Sequence, residues 1–240
     1  MVRLKAAYGE FYAVAGMTFS WSNISAKVKN IAYSKTVQLH YRSLTDGLWK
    51  DKTLPFMNHF ENYDIFGSPS APFCQEFVIK YIVDGSVCWD NNNGLNYQIG
   101  TYAGTVGGNV MLKKATARIG MEAGGGFTFT TSWIEGEIYV RHLTYHKKVG
   151  IRYSADGGVT WQDSDGSYLK QEHGVAADIS GMEIWSFKTP TYNYNPASDS
   201  FRFAVYYEMR DPGPGYGQQF WDNNFSQDYT LSKVNDSTLE

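Results

Sequence analysis

Trp89-Asp90-Asn91-Asn92, followed closely by Asn96-Tyr97, recurs near the other end of the chain as Trp221-Asp222-Asn223-Asn224, followed by Asp228-Tyr229. An indole beside several short amides is poor material for a protein core, because each amide brings a donor and an acceptor that need partners. The combination suits a sugar, since the indole offers a flat apolar face and the amides bond hydroxyl groups. The two stretches indicate two sugar-binding corners in one chain.

The rest of the chain repeats in the same order, which predicts two homologous modules. Residues 2–5 recur at 110–113, an offset of 108 (110 − 2), and Phe77 recurs as Phe203 at 126 (203 − 77). An offset that changes only between strands is what loop insertions produce. A constant offset of 112 (140 − 28) relates Val28, Tyr33, Lys35, Val37, Leu39, Tyr41 and Trp49 to Val140, Tyr145, Lys147, Val149, Ile151, Tyr153 and Trp161.

Alternating apolar residues predict β-strands rather than helices. Val37, Leu39 and Tyr41 would share one face of a strand, and turn signals such as Asp84-Gly85 separate segments of this kind. We therefore predict an all-β chain of two tandem antiparallel β-sandwiches with an immunoglobulin-like arrangement. The predicted modules are residues 1–103 and 110–240, joined by a short Gly-rich linker at 104–109.

The composition narrows the classes of partner. A formal charge of −3 and the lack of a run of Lys or Arg argue against a nucleic-acid or anionic-membrane surface. No apolar run approaches the roughly twenty residues of a membrane span. Aromatic residues form 16% of the chain, and Tyr and Trp are expected where an apolar surface meets water. We therefore expect neither nucleic acid nor membrane as a partner.

The two cysteines are expected to be free thiols. A turn at Asp84-Gly85 places Tyr81, rather than Cys74, opposite Cys88. The two sulfur atoms then lie on opposite faces and several residues apart, which is too far for a disulfide.

No metal, cofactor or catalytic group is predicted. His142 and His146, placed on a strand, would lie about 13 Å apart and so would not share a metal ion. Asp163-Ser164-Asp165-Gly166 has the start of a calcium-loop pattern without its remaining ligands, so we interpret it as a solvated turn. Glycoside hydrolysis needs a pair of carboxylates, and any chain with 24 acidic residues is expected to contain some pairs by chance. A small glucan-degrading enzyme is therefore kept as an alternative.

Several segments, in order, resemble one known family: carbohydrate-binding module family 21. This family includes the starch-binding domain of fungal glucoamylase and the glycogen-binding part of protein phosphatase 1 targeting subunits. The resemblance implies a β-sandwich, no catalysis and binding of α-1,4-linked glucan. It covers nearly all of residues 1–100 and, more loosely, about 110–232. The segments that carry it are residues 27–35, Trp49, residues 76–81 and residues 89–93.

The resemblance also implies two aromatic binding surfaces in each module, one with two indoles, a lysine and neighbouring amides, the other with an exposed tyrosine. In the first module, the residues are Trp49, Trp89, Lys35, Asn91, Asn92, Asn93 and Asn96 on one surface, and Tyr33 and Tyr63 on the other. In the second module, they are Trp161, Trp221, Lys147, Asn223 and Asn224, with Tyr145 on the other surface.

The sequence departs from the family pattern at several positions. An aromatic often found on the strand after Phe77 is replaced by Val78, and by Ala204 in the second copy. The two modules are therefore expected to bind with unequal affinities. The second copy also carries Phe225, Asp228 and Met182 in place of Asn93, Asn96 and Tyr63.

We expect a non-catalytic tandem region that binds starch, glycogen or malto-oligosaccharides and anchors an attached amylolytic enzyme. Such a region would be part of a secreted, extracellular protein, with an intracellular location left open. The alternative is a glycogen-targeting adaptor for a protein phosphatase or another enzyme. No basic-Val/Ile-x-Phe docking peptide of the kind that phosphatase 1 partners use occurs in the sequence, although one could lie outside it.

Overall fold

The computed structural model describes residues 1–100, 103–173, 181–193, 200–233 and 237–240. The regular structure in these residues is β-strand apart from two short 3-10 helices, Asn92–Gly94 and Gly107–Asn109. The predicted all-β fold is confirmed. The strands are β1 (Val2–Val14), β2 (Met17–Lys29), β3 (Lys35–Arg42), β4 (Trp49–Thr53), β5 (Phe56–His59), β6 (Tyr63–Pro72), β7 (Glu76–Val83), β8 (Ser86–Asp90), β9 (Tyr97–Gln98), β10 (Gly104–Thr105), β11 (Val110–Gly124), β12 (Phe127–Arg141), β13 (Lys147–Ser154), β14 (Gln162–Asp165), β15 (Ser167–His173), β16 (Met182–Lys188), β17 (Tyr192–Asn193), β18 (Ser200–Met209), β19 (Gln219–Asp222), β20 (Tyr229–Ser232) and β21 (Thr238–Leu239).

The chain divides into two compact units by its internal contacts. Unit 1 comprises Met1–Asn109 with Arg141–Leu143 and Gln171–Glu183. Unit 2 comprises Val110–Val140, Thr144–Lys170 and Ile184–Glu240.

Unit 1 contains two antiparallel sheets that share one core. One sheet has the strand order β10-β1-β2-β6-β5, and the other has the order β4-β3-β7-β8, with β9 paired to β7. Inward side chains of both sheets meet in one cluster, in which Leu4 and Ile24 of the first sheet pack with Leu39 and Ile79 of the second. The outward residues of the second sheet are therefore free to form a surface.

The strands from β11 onward repeat this arrangement. One sheet has the order β15-β16-β12-β11-β21, with β17 paired to β12, and the other has the order β14-β13-β18-β19, with β20 paired to β18. Ile134 and Ile138 of the first sheet and Ile151 and Val205 of the second are fully buried. The order β14-β13-β18-β19 corresponds to β4-β3-β7-β8.

The predicted linker at 104–109 is corrected by the structure. Gly104 and Thr105 form β10, and Thr105 pairs with Ala7 of β1. Val106 is 1% exposed, and a Cβ added to Gly107 would lie 2.2 Å from the carbonyl oxygen of Leu4. The glycines here allow close packing on β1 rather than chain freedom. Residues 104–109 are therefore part of unit 1.

The hairpin of β7 and β8 has the predicted register, with Tyr81 opposite Cys88. Both cysteines are free thiols. Cys74 is buried beside the Ser22 hydroxyl, and burial raises the pKa of its thiol to about 12.

His142 and His146 do not lie on a strand, in contrast to the prediction. They fall in the connection between β12 and β13, where His142 contacts the Glu183 carboxylate and His146 contacts that of Asp211. No group of three metal-ligating side chains occurs in the described parts of the chain. Within those parts, no helix has both the length and the hydropathy to span a bilayer.

Candidate functional site

Two exposed indoles face one groove on the outer side of a sheet in unit 1. Trp49 begins the edge strand β4 and is 42% exposed, and Trp89 lies on the edge strand β8 and is 47% exposed. The imidazole of His40 on β3 stacks on Trp49 with centroids 4.8 Å apart and planes 9° apart. The same ring makes a T-shaped contact with Trp89, with centroids 5.4 Å apart and planes 72° apart. The two indole planes are therefore between 63° and 81° apart (72° less or plus 9°).

The space between the indoles has a volume of about 350 Å³. Val78 lies opposite His40 in the register of β3 and β7 and leaves room where a larger side chain would fill the groove. The lining residues are His40, Trp49, Val78, Trp89, Asn91 and Asn96.

A carboxylate links the two walls of this groove. Asp51 contacts His40 Nδ1 at 2.6 Å and accepts a hydrogen bond from Lys80 Nζ at 3.2 Å. Burial raises the pKa of Asp51, but the hydrogen bonds from His40 and Lys80 outweigh it, and the net pKa lies below its usual range. The ionised carboxylate therefore accepts from both side chains. The Lys80 ammonium lies 5.4 Å from the ring centroid of Trp89, an attractive cation–π arrangement.

The amides after Trp89 build the corner as well as line it. Asn91 Oδ1 accepts from the backbone N–H of Gly94, and Asn92 Nδ2 donates to the carbonyl oxygen of Asn96. Asn92, Asn93 and Asn96 have positive φ, a conformation that Asn tolerates better than most residues. Of the four predicted amides, Asn91 and Asn96 line the groove, whereas Asn92 and Asn93 are not among its lining residues.

A second groove in unit 1, of about 640 Å³, includes Tyr33, whose side chain is fully exposed. The predicted association of Lys35 with the indoles is corrected, because Lys35 lines this second groove. Its ammonium donates to Asn30 Oδ1 at 2.8 Å and pairs with the Asp64 carboxylate. The lining residues are Asn30, Tyr33, Lys35, Phe56, His59, Asp64 and Phe66.

The predicted exposure of Tyr63 in this groove is also corrected. Its side chain is 2% exposed, stacks on Phe60 at 4.7 Å, and lies under the Lys27 ammonium. It pairs with Lys29 of β2, on the sheet face opposite the core residues Ala26 and Val28. Phe56 of β5, which is 56% exposed, supplies the second aromatic surface of the groove instead.

His40 and Phe56 line the two grooves but are not among the predicted site residues, although the sequence contains a signal for each. Alternation buries Val37 and Leu39, and so directs His40 to the outer face of β3. Phe56-Met57 is an apolar pair between Pro55 and Asn58, too short for a core strand. Such a pair indicates a surface position.

The two indoles of unit 2 differ in accessibility. Trp221 is 37% exposed and packs at 5.3 Å against Tyr206, its cross-strand neighbour. Trp161 is half-buried, and its indole N–H donates to the carbonyl oxygen of Gly158 at 3.1 Å. The Arg202 guanidinium lies over the ring of Trp161 at 5.9 Å. Trp221 is therefore the more open of the two surfaces.

The predicted polar residues of unit 2 fall in different environments. Asn224 is 2% exposed and donates to the carbonyl oxygen of Asp228, which corrects its predicted contact with a sugar. Asn223 is half-exposed, and its Oδ1 accepts from the backbone N–H of Ser226. The Lys147 ammonium lies 5.9 Å from the centroid of the buried Tyr207 ring.

Tyr145 is 66% exposed on a loop that one carboxylate holds in place. Asp211 accepts hydrogen bonds from the backbone N–H of Tyr145 at 2.9 Å and from the Thr144 hydroxyl. Hydrogen bonds from Thr144 and His146 hold the pKa of Asp211 well below its usual range. The loop therefore presents the Tyr145 ring on a fixed backbone.

The aspartate that follows each recurring tryptophan is structural. Asp90 accepts from the backbone N–H of Leu4 at 2.6 Å and from the Tyr97 hydroxyl at 2.8 Å. In both units, a β-bulge follows the leucine that donates this bond. The corresponding contacts in unit 2 are Leu112 to Asp222 at 3.0 Å and Tyr229 to Asp222 at 2.5 Å.

Comparison with known proteins finds a family match in the second half of the chain. Residues 114–232 match the model of the "Carbohydrate/starch-binding module (family 21)". The chain is 31% identical over 105 residues to Glycogen-binding subunit 76A of Drosophila melanogaster, covering 44% of this chain and 14% of that protein.

Two further relatives belong to other species. Protein phosphatase 1 regulatory subunit 3E of Mus musculus is 32% identical over 98 residues, covering 41% of this chain and 30% of that protein. Glucoamylase 1 of Rhizopus oryzae is 38% identical over 98 residues, covering 38% of this chain and 15% of that protein. The chain thus spans less than a third of each of these relatives. Over residues 114–232, the chain is thus similar to the carbohydrate/starch-binding module of family 21.

Proposed function

We propose that the chain is a non-catalytic region of two tandem family 21 modules, residues 1–109 and 110–240, that binds α-1,4-linked glucan. The observation that carries this proposal is the groove between Trp49 and Trp89, with its two exposed indoles set at a wide angle. An α-1,4 glucan curves, so successive rings fit two angled planes better than one flat row.

The polar residues of the groove complement the indoles. Stacking a pyranose ring on an indole removes apolar surface from water at about 25 cal/mol per Å². The hydroxyl groups of the ring must then keep hydrogen bonds, and the side chains of Asn91 and Asn96 line the same groove. The groove thus offers both kinds of contact that a sugar requires.

The tandem arrangement is supported by matching details in the two units. The bond from Leu4 to Asp90 has its equivalent from Leu112 to Asp222, and the outer sheets share one strand order. Two weak sites on one chain raise retention by roughly 10² or more if both reach one polymer. Two modules therefore suit an insoluble polysaccharide.

Sedimentation with insoluble starch tests the proposal. We expect the protein to pellet with starch, and the triple variant Trp49→Ala, Trp89→Ala, Trp221→Ala to stay in the supernatant while unfolding at a similar temperature. The matched control is Tyr12→Ala, Phe19→Ala, Phe129→Ala, which removes three exposed aromatics from the hairpins β1–β2 and β11–β12 and should pellet normally. A wild-type protein wholly in the supernatant would refute the proposal.

We further propose that the region anchors an amylolytic enzyme, as part of a secreted protein. A glycogen-targeting adaptor, acting inside the cell, is the second candidate, because the relatives include protein phosphatase 1 regulatory subunits as well as a glucoamylase. Sedimentation of the catalytic subunit of phosphatase 1 with glycogen, with and without this chain, distinguishes the adaptor from the enzyme anchor. Pelleting of the subunit only in the presence of this chain supports the adaptor, and its absence from the pellet supports the enzyme anchor.

A further inference from the structure

The orientation of Trp49 depends on its contact with a histidine. Trp49 begins an edge strand, β4, in which every residue is exposed. The imidazole of His40 covers one face of the indole in a near-parallel stack, with planes 9° apart. Aromatic pairs in such a geometry attract each other beyond the burial of their area. The contact restrains the plane of an otherwise solvated ring.

The histidine is itself held from two sides. Its Nδ1 bonds Asp51, which also accepts from Lys80, and its ring makes a T-shaped contact with Trp89. Lys80 in turn lies against Trp89 and opposite it in the register of β7 and β8. The contacts therefore form a closed circuit from one indole to the other through the imidazole and the carboxylate.

The small size of Val78 makes this circuit possible. Val78 is the cross-strand neighbour of His40 and lines the same groove. A larger side chain at that position would occupy the space into which the imidazole and the indoles project. The wall between Trp49 and Trp89 is thus supplied by β3 rather than by β7.

We propose that His40 is a positioning residue that fixes the angle between Trp49 and Trp89 and so makes this groove selective for glucan of fixed curvature. The inference rests on the proposed function. The ring of His40 carries the effect, because it is the ring that stacks on Trp49 and makes a T-shaped contact with Trp89. The hydrogen bond to Asp51 orients that ring.

Loss of the His40 ring should therefore change the affinity for rigid ligands more than the affinity for flexible ones. Without the imidazole, the Trp49 ring gains rotational freedom about its side-chain bonds. A linear malto-oligosaccharide can adjust to a changed angle, whereas a cyclodextrin, with its closed ring of α-1,4-linked glucoses, cannot. Loss of the His40 ring should therefore weaken cyclodextrin binding much more than linear oligosaccharide binding.

Among the described residues of unit 2, the positions equivalent to His40 and Lys80 do not form this circuit. Arg152, which is exposed, occupies the position of His40 opposite Ala204 in the register of β13 and β18. Tyr206, rather than a lysine, is the cross-strand neighbour of Trp221. The proposed selectivity belongs to the first groove, and the other aromatic surfaces should be silenced before it is measured.

The experiment uses the full chain with Tyr33→Ala, Tyr145→Ala and Trp221→Ala as background. Isothermal titration with β-cyclodextrin and with maltoheptaose compares this background with added His40→Ala, His40→Phe and His40→Asn. We expect His40→Ala to weaken β-cyclodextrin binding about tenfold and maltoheptaose binding less than about threefold. His40→Phe, which restores a ring, should recover the background affinity for β-cyclodextrin, whereas His40→Asn should behave like His40→Ala.

Equal losses for both sugars, or recovery by His40→Asn but not by His40→Phe, would overturn the inference. If the background protein binds both sugars and His40→Ala changes neither affinity, the inference fails while the proposed function stands. If the background protein binds neither sugar, the inference and the proposed function both fail for this groove. Thermal unfolding of each variant shows whether any affinity change is a loss of folded protein.

Discussion

The backbone N–H of Leu112 donates a 3.0 Å hydrogen bond to the carboxylate of Asp222, 110 residues further along the chain. Leu4 and Asp90 make the equivalent bond in unit 1 at 2.6 Å. Each bond joins the first strand of a unit to the strand that carries the exposed tryptophan. The position of each tryptophan therefore depends on a buried or half-buried carboxylate immediately after it.

Removing the Asp90 carboxylate should destabilise unit 1. In Asp90→Ala, the N–H of Leu4 and the hydroxyl of Tyr97 lose their acceptor, at a cost of about 3 kcal/mol in the free energy of unfolding. Denaturation in urea measures this cost. The control Asp163→Ala changes an exposed aspartate on an edge strand and should be neutral within about 0.5 kcal/mol. Equal stability of the two variants would contradict the assigned role.

The variant Asp90→Asn should alter the pH dependence of stability. Burial raises the pKa of Asp90 above its ordinary value of 3.8, despite the hydrogen bonds from Leu4 and Tyr97 that lower it. The folded state therefore binds this proton more tightly than the unfolded state. The protonated Asp90 carboxyl therefore stabilises the folded state fully at a pH below its ordinary pKa. This stabilisation is lost as the pH rises through the raised pKa of the folded state.

Asn does not titrate, so the stability of Asp90→Asn should not show this decline. Urea denaturation at intervals between about pH 4 and 7 should reveal a wild-type stability that falls relative to the variant. Parallel profiles for the two proteins would show that Asp90 keeps its ordinary pKa in the folded state.

Substitution of Tyr33 should weaken glucan binding, whereas substitution of Tyr63 should not. Tyr33→Ala should weaken glucan binding by the first module several-fold without loss of stability, because the side chain is fully exposed. Tyr63→Phe keeps the buried ring and should leave glucan affinity unchanged, with a stability cost of about 1 kcal/mol at most. Affinity electrophoresis in glycogen gels measures both. Retardation lost in Tyr63→Phe at unchanged stability would return Tyr63 to the binding surface.

Trp221 should contribute more to glucan binding by unit 2 than Trp161 does. In a background of Trp49→Ala and Trp89→Ala, added Trp221→Ala should remove most of the remaining starch retention, because its ring is open to solvent. Trp161→Ala should chiefly lower stability, by about 1–3 kcal/mol, since its ring is half-buried and bonded to Gly158. A larger loss of retention from Trp161→Ala, without destabilisation, would reverse this ranking.

Much of the fold follows from the sequence, because alternation and turn chemistry act over short distances. The inward positions of Val37 and Leu39 and the register of Tyr81 opposite Cys88 were both predictable. The glycines at 104–109 were misleading, since glycine serves a flexible linker and a tightly packed strand equally well. Only the position of Gly107 against the carbonyl of Leu4 distinguishes the two.

The sequence by itself determined most of the strands and the exposure of Trp49 and Trp89, because each of these depends on neighbouring residues, and comparison of its two halves shows the sequence repeat. It could not decide which side chains share a groove. Lys35 pairs with Asp64 rather than joining the indoles, and Tyr63 is buried. His40, Asp51 and Lys80 come together from three strands. Only tertiary structure fixes such sets, because strand pairing brings together residues whose separation in the chain carries no information about their contact.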